Sequence, residues 1–130
     1  MKTHRQLDVW KDSIDLTLAL YKITTSFPKD EVYGLSIQIR RAAVSVPANI
    51  AEGAARNSSK DFVRFLHISL GSLSELETLL LIAINLGISN PDQFNDINNR
   101  IIRITAQLTG LITSISTKYI DPAGPSRTGR

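Results

Sequence analysis

The stretch FNDINNRIIRITAQLTGLITSI, Phe94 to Ile115, sets Phe94, Ile97, Ile101, Ile104, Leu108, Leu111 and Ile115 at alternating spacings of three and four without a miss. A helix of 3.6 residues per turn gathers such positions along one side. The same alternation is how nearly antiparallel helices pack knobs into holes. Just upstream, Ser89-Asn90-Pro91-Asp92 supplies a cap, a proline at the first helical position and then an acid. It is the strongest helix start in the chain.

Similar spacing recurs three times towards the N-terminus. Asn57-Ser58-Ser59 breaks the pattern, and Ser58 with Asp61 makes a capping box for a third helix. Phe62, Leu66, Ser69, Leu73, Leu76 and Leu80 carry that helix to Leu86, with Gly87 as its stop. Asp30 and Glu31 supply the negative first turn of a second helix, whose seam is Val32, Leu35, Ile39, Ala42, Val46 and Ile50. A first helix runs from about His4 to Ser26 and ends at Phe27-Pro28. It carries one stripe of Leu7, Trp10, Ile14, Leu18 and Tyr21 and a second of Val9, Leu16, Leu20 and Ile23. The spacing predicts an all-α fold: an antiparallel up-down-up-down four-helix bundle over residues 1–121. Helices of about 20–28 residues would each be about 30–42 Å long. The tail, residues 122–130, has no apolar group to anchor it and is expected to be disordered.

Composition narrows the chemistry. The 130 residues suit one domain. There is no cysteine, which removes disulfides, thiol catalysis and thiolate metal sites. The net charge of +3 includes Arg127 and Arg130 of the tail, so the folded part is nearly balanced and any affinity for nucleic acid must come from a local patch. The longest apolar run, Leu79 to Ile84, is far short of the ~20 residues that span a bilayer. The N-terminus does not read as a signal peptide. A soluble, cytoplasmic protein without metal or cofactor is expected.

The second helix contains QIRRAAVSVPANIAEG, Gln38 to Gly53. At ~100° per residue, Ile37, Val44, Ala48, Ala51 and Ala55 fall opposite its core seam. A helix apolar on two sides is covered on both, which points to a second subunit on this small-residue face. The same alanines would also suit a solvated face, which leaves a monomer open. Between the two faces runs a polar stripe that includes Gln38, Arg41, Ser45, Asn49, Glu52 and Arg56. Pro47 should bend the helix and free the carbonyl of Ala43, with Ser45 and Asn49 near enough to satisfy loosened backbone groups. In the third helix Glu77 falls within the apolar sector. A carboxylate there needs a cationic partner, for which Arg41 and Arg56 are the candidates, and the pair would fix register rather than catalyse.

Phe27-Pro28, Glu31, Tyr33-Gly34-Leu35, the QIRRAAVSVPANIAEG block, Arg56-x-Ser58, Phe62 with Phe65-Leu66, and GSLSELE from Gly71 to Glu77 together resemble a known family. It is the four-helix bundle family first named for reading frames within 23S rRNA intervening sequences, also called the S23 ribosomal protein family. The resemblance covers about Leu7 to Leu86, and the fourth helix matches in pattern only. It implies an antiparallel bundle assembled into a ring-like homopentamer. It also implies a link to the accessory variability protein of diversity-generating retroelements, which binds a reverse transcriptase and nucleic acid through basic surface.

The expected function is therefore a non-enzymatic oligomeric module that contacts RNA or a nucleoprotein partner through Arg40, Arg56, Lys60, Arg64 and Lys11, with Arg40 the best candidate for a free surface arginine. A protein-interaction scaffold without nucleic-acid contact is the alternative. Gln38, Arg41, Asn49, Glu52 and Glu77 are expected to form a structural polar network. Enzymatic readings lack their residues: Arg64 and His67 are too close for an Arg-and-His ribonuclease pair. No Glu-x-x-His pair or glycine-rich phosphate loop is present either.

Overall fold

The computed structural model describes His4, residues 7–31 and residues 34–118. Four α-helices account for most of them: α1 (Asp8–Thr25), α2 (Leu35–Ala54), α3 (Ser59–Asn85) and α4 (Pro91–Lys118), with a 3-10 turn at Lys29–Glu31. Among the described residues there is no strand. Each helix packs on two others, α1 against α2 and α4, and α3 against α2 and α4. Paired positions run in opposite senses along α2 and α3: Gly53 faces Phe62 and Phe65, Val46 meets Ser69, and Ser45 meets Ser72. The expected tail, with Val32 and Tyr33, lies outside the described residues.

The α4 repeat does what its spacing requires. Ile97, Ile101, Ile104 and Leu108 are buried, and Phe94, Leu111 and Ile115 pack on the margin of the core. Asn90 Oδ1 accepts the Asp92 amide at 2.7 Å, closing the helix start ahead of Pro91. In α3, Leu66, Ser69, Leu73, Leu76 and Leu80 are buried, and the Ser58 hydroxyl accepts the Asp61 amide at 3.1 Å as a cap. The helix ends on Gly87, φ 76°, where the amides of Gly87 and Ile88 bond the carbonyls of Ile84 and Ala83. This paired termination needs a left-handed residue, which glycine adopts without penalty. By length and composition α3 as a whole is apolar enough to cross a membrane, although its longest unbroken apolar run is short. Here Leu66, Leu73, Leu76, Leu79 and Leu80 are core.

Three expectations are refined or corrected. First, of the two expected stripes of α1 the second faces inward, as Val9, Ser13, Leu16, Leu20 and Thr24, while of the first stripe Leu7 and Trp10 pack on the margin of the core and Leu18 is 63% exposed. Two polar positions interrupt the buried stripe. They are accommodated because the Ser13 hydroxyl donates to Trp10 O and the Thr24 hydroxyl to Leu20 O, each at 2.8 Å. Second, Asp30 and Glu31 do not open α2. They belong to the separate 3-10 turn, and α2 begins after Gly34 with no acid in its first turn. Third, Glu77 is exposed. The buried sector of α3 extends towards α2, through Phe65, Ser72, Leu79 and Ala83, and away from the flank that carries Glu77. Leu81 on that flank is itself 53% exposed, so no buried carboxylate needs neutralising.

Candidate assembly face and nucleic-acid surface

Pro47 lies inside α2 and is buried. It has no N–H for the carbonyl four residues back, that of Ala43. The partner comes from α1: the Thr17 hydroxyl lies 3.2 Å from Ala43 O while also reaching Ser13 O at 2.8 Å. On the other side of α2, the Ser69 hydroxyl of α3 donates to Val46 O at 2.9 Å. Hydroxyls from both neighbouring helices thus tie to α2 around its proline. Ser45 and Asn49, expected to satisfy this carbonyl, turn instead towards α3. Asn49 Nδ2 donates to Ser45 O and Oγ at 2.8 and 2.9 Å, and Ser72 Oγ reaches Ser45 Oγ at 2.8 Å.

The expected polar network therefore divides. Asn49 belongs to the serine cluster, whereas Glu52 pairs with Arg56 at 2.6 Å on the surface. Gln38, Arg41 and Glu77 are exposed and join neither. Serines 45, 69 and 72 and Thr17 carry bonds between helices around Pro47. Their signal in the sequence is weak, because a short hydroxyl side chain reads equally as solvent-facing.

Arg40 is not a free surface arginine. Its Nε donates to Thr24 Oγ1 at 2.8 Å, and its Nη2 reaches Tyr21 O at 3.3 Å and Thr25 Oγ1 at 3.4 Å. The guanidinium lies 4.6 Å from the centre of the Tyr21 ring. It sits on the edge of α2 next to α1, so its reach is spent strapping the two helices together. The other expected cations occupy the opposite half of the bundle. Arg56 and Arg64 flank the Phe65 ring at 4.8 and 4.5 Å, with exposed Lys60 between them in sequence. Arg64 also lies 3.8 Å from Asp61. Lys11 is exposed near the start of α1, on the half that runs beside the later part of α2. Among the described residues neither Lys11 nor Lys60 forms an ion pair.

The outer face of α2 is apolar and uncovered. Val44 is 43% exposed, Ala48 and Ala55 are exposed, and Ile37 and Ala51 are half-buried. Tyr21 of α1 extends it, and a shallow hollow lies between Tyr21, Ile37 and Val44 with Arg41 at its rim. Among the described residues no three His, Cys, Asp or Glu side chains gather in a group suited to a metal.

These features define an all-α four-helix protein whose distinctive residues lie on surfaces and helix contacts. The family model described as 23S rRNA-intervening sequence protein matches residues 5–110, and the chain belongs to that family. A solved structure from Bacteroides thetaiotaomicron VPI-5482, described as a protein of unknown function from the S23 ribosomal protein family, superposes with a TM-score of 0.72 at 28% identity. The match covers 80% of this chain and 97% of that one. No curated protein matches the chain.

Proposed function

We propose that this protein is a non-enzymatic, homo-oligomeric module that assembles through the outer face of α2 and binds RNA or a nucleoprotein partner through basic residues repeated around the assembly. The observation that carries the reading is the uncovered apolar face of Ile37, Val44, Ala48, Ala51 and Ala55, continued by Tyr21. Small residues let a second backbone approach closely, and contiguous exposed apolar surface marks interaction sites. The pentameric number follows from the family resemblance. Symmetry then multiplies a modest patch: Lys11, Arg56, Lys60 and Arg64 would recur once per subunit and sum into a stronger field. Glu52 and Asp61 offset part of this charge, which favours the scaffold alternative if assembly proves real and RNA affinity absent.

Size-exclusion chromatography with light scattering, read at 260 and 280 nm, tests both halves. The expected result is a multiple of the monomer mass, with nucleic acid retained at low salt and lost steeply towards moderate salt. Val44→Glu should give a helical monomer. A clean monomer of the parent chain, free of nucleic acid, would refute the proposal.

A further inference from the structure

Two exposed helix faces match in spacing and in charge. The outer seam of α2 runs Ile37, Arg41, Val44, Ala48, Ala51 and Ala55, alternating four and three. Such a seam packs against one facing helix. Arg41 is its one charged member, is exposed, and forms no ion pair among the described residues. On α3, Ile68, Glu75 and Ile82 recur every seven residues and so share one side of the helix. Ile68 is 41% and Ile82 43% exposed, although Leu66, Leu73 and Leu80 of the same helix are buried. Glu75 between them is exposed and likewise forms no ion pair among the described residues.

The contact between α2 and α3 within one chain fixes which of these residues stand level. The two helices run in opposite senses, Ser72 bonds Ser45, and the Ser69 hydroxyl bonds Val46 O. One step back along α2 therefore matches one step forward along α3. Counted from these two bonds, Arg41 is level with residues 74–76, centred on Glu75, and Ala48 with residues 67–69, centred on Ile68. A closed assembly relates its copies by rotation alone. Where its axis runs along the helices, residues level within one chain are level across the contact between copies. The one cation of the α2 face then stands opposite the one anion of the α3 face, and an alanine stands opposite an isoleucine.

We propose that the outer seam of α2 seats on the stripe of Ile68, Glu75 and Ile82 in a second copy of this chain, with Arg41 paired to Glu75 across the contact. This pairing rests on α2 being an assembly face and adds the surface that receives it. Ala48 leaves room for the Ile68 side chain, and Ile82 comes towards Ile37 at the other end of the seam. The ion pair fixes the register: a slide of two turns would set Arg41 against Ile68 or Ile82 and leave both charges without a partner. The number of copies follows from the angle between the two faces and does not alter the register.

The test uses the full chain, with light scattering across a dilution series and circular dichroism to check folding. Arg41→Glu and Glu75→Arg should each keep the helical signal and weaken self-association by about tenfold or more, because like charges then face each other. The variant carrying both changes restores opposite charges and should recover the assembly of the parent. The chain has no cysteine, so introduced thiols give a second readout. Ala48→Cys combined with Ile68→Cys should form disulfides between chains on oxidation, whereas each change alone should leave single chains on a non-reducing gel. A monomeric parent would remove the assembly reading itself, and this pairing with it. An assembled parent whose mass is unmoved by Glu75→Arg, or a double charge variant no better than the single ones, would overturn the pairing and leave assembly through α2 standing. So would cross-linking of Ala48→Cys alone, which sets α2 against α2.

Discussion

Replacing Gly53 by alanine puts two opposed effects on one residue. Alanine is favoured over glycine in a helix by up to about 1 kcal/mol. A Cβ at Gly53, however, would meet Phe65 Cβ at 2.8 Å, Phe62 Cδ1 at 3.0 Å and Phe62 O at 3.2 Å. The Phe62 ring can rotate, but Phe65 Cβ and the Phe62 carbonyl move only with α3, so α2 and α3 must part at this end. Overpacking of this kind costs about 1–3 kcal/mol. Because two of the three contacts are to atoms that move only with α3, the upper part of that range, about 2–3 kcal/mol, applies, and the clash wins by about 1–2 kcal/mol. Unfolding entropy for 130 residues is roughly 0.27 kcal/mol per kelvin, so each kcal/mol moves the midpoint by about 4 °C. Gly53→Ala should therefore melt about 4–8 °C below the parent, read by circular dichroism at fixed protein concentration because assembly couples to stability. Gly71 in α3 is the control, since a Cβ there meets nothing within 4 Å. Gly71→Ala should gain up to about 4 °C. If both variants rise together, helix propensity governs Gly53 and the close approach of α2 to α3 is not the constraint.

Thr17→Val keeps the shape of the side chain but removes the hydroxyl from Ala43 O, and should cost about 1 kcal/mol in urea unfolding. In the Pro47→Ala background a backbone amide can serve that carbonyl, so the loss should shrink, and additive losses in the double-mutant cycle would count against the pairing. Ser58→Ala removes the cap on the Asp61 amide and should cost about 1 kcal/mol by the same assay, with an unchanged midpoint as the contrary result.

How much of the fold could be read beforehand depended on whether burial coincided with apolarity. In α4 the buried positions are all Ile and Leu, so spacing alone identified the core face. In α1 the core face includes Ser13 and Thr24, which are accommodated because each bonds back to its own helix, so two apolar stripes competed and spacing alone did not choose between them. Glu77 misled for the converse reason: its apolar neighbours on one side, Leu70 and Leu81, are themselves partly exposed. The site was harder still. That α2 has an uncovered apolar face followed from periodicity, whereas the strapping of Arg40 depends on how α1 ends, with Thr24, Thr25 and the Tyr21 carbonyl turned towards it. The partner of Ala43 O could not be inferred from α2 alone, because it comes from another helix.

The connection between α2 and α3 spans only residues 55–58, and these two helices meet at the Gly53 notch and through the serine bonds. Closing so short a loop loses little chain entropy, whereas the bond between Gln107 and Asp12 joins residues 95 apart in sequence. We therefore expect an order in folding kinetics: the α2–α3 hairpin forms in the transition state, and the seam between α1 and α4 closes after the barrier. Conservative truncations at Val46 and Leu66 should slow folding, while those at Ile101 and Leu108 should mainly speed unfolding. The reverse pattern would place the nucleus at the chain's ends, and the short turn would then have no kinetic role.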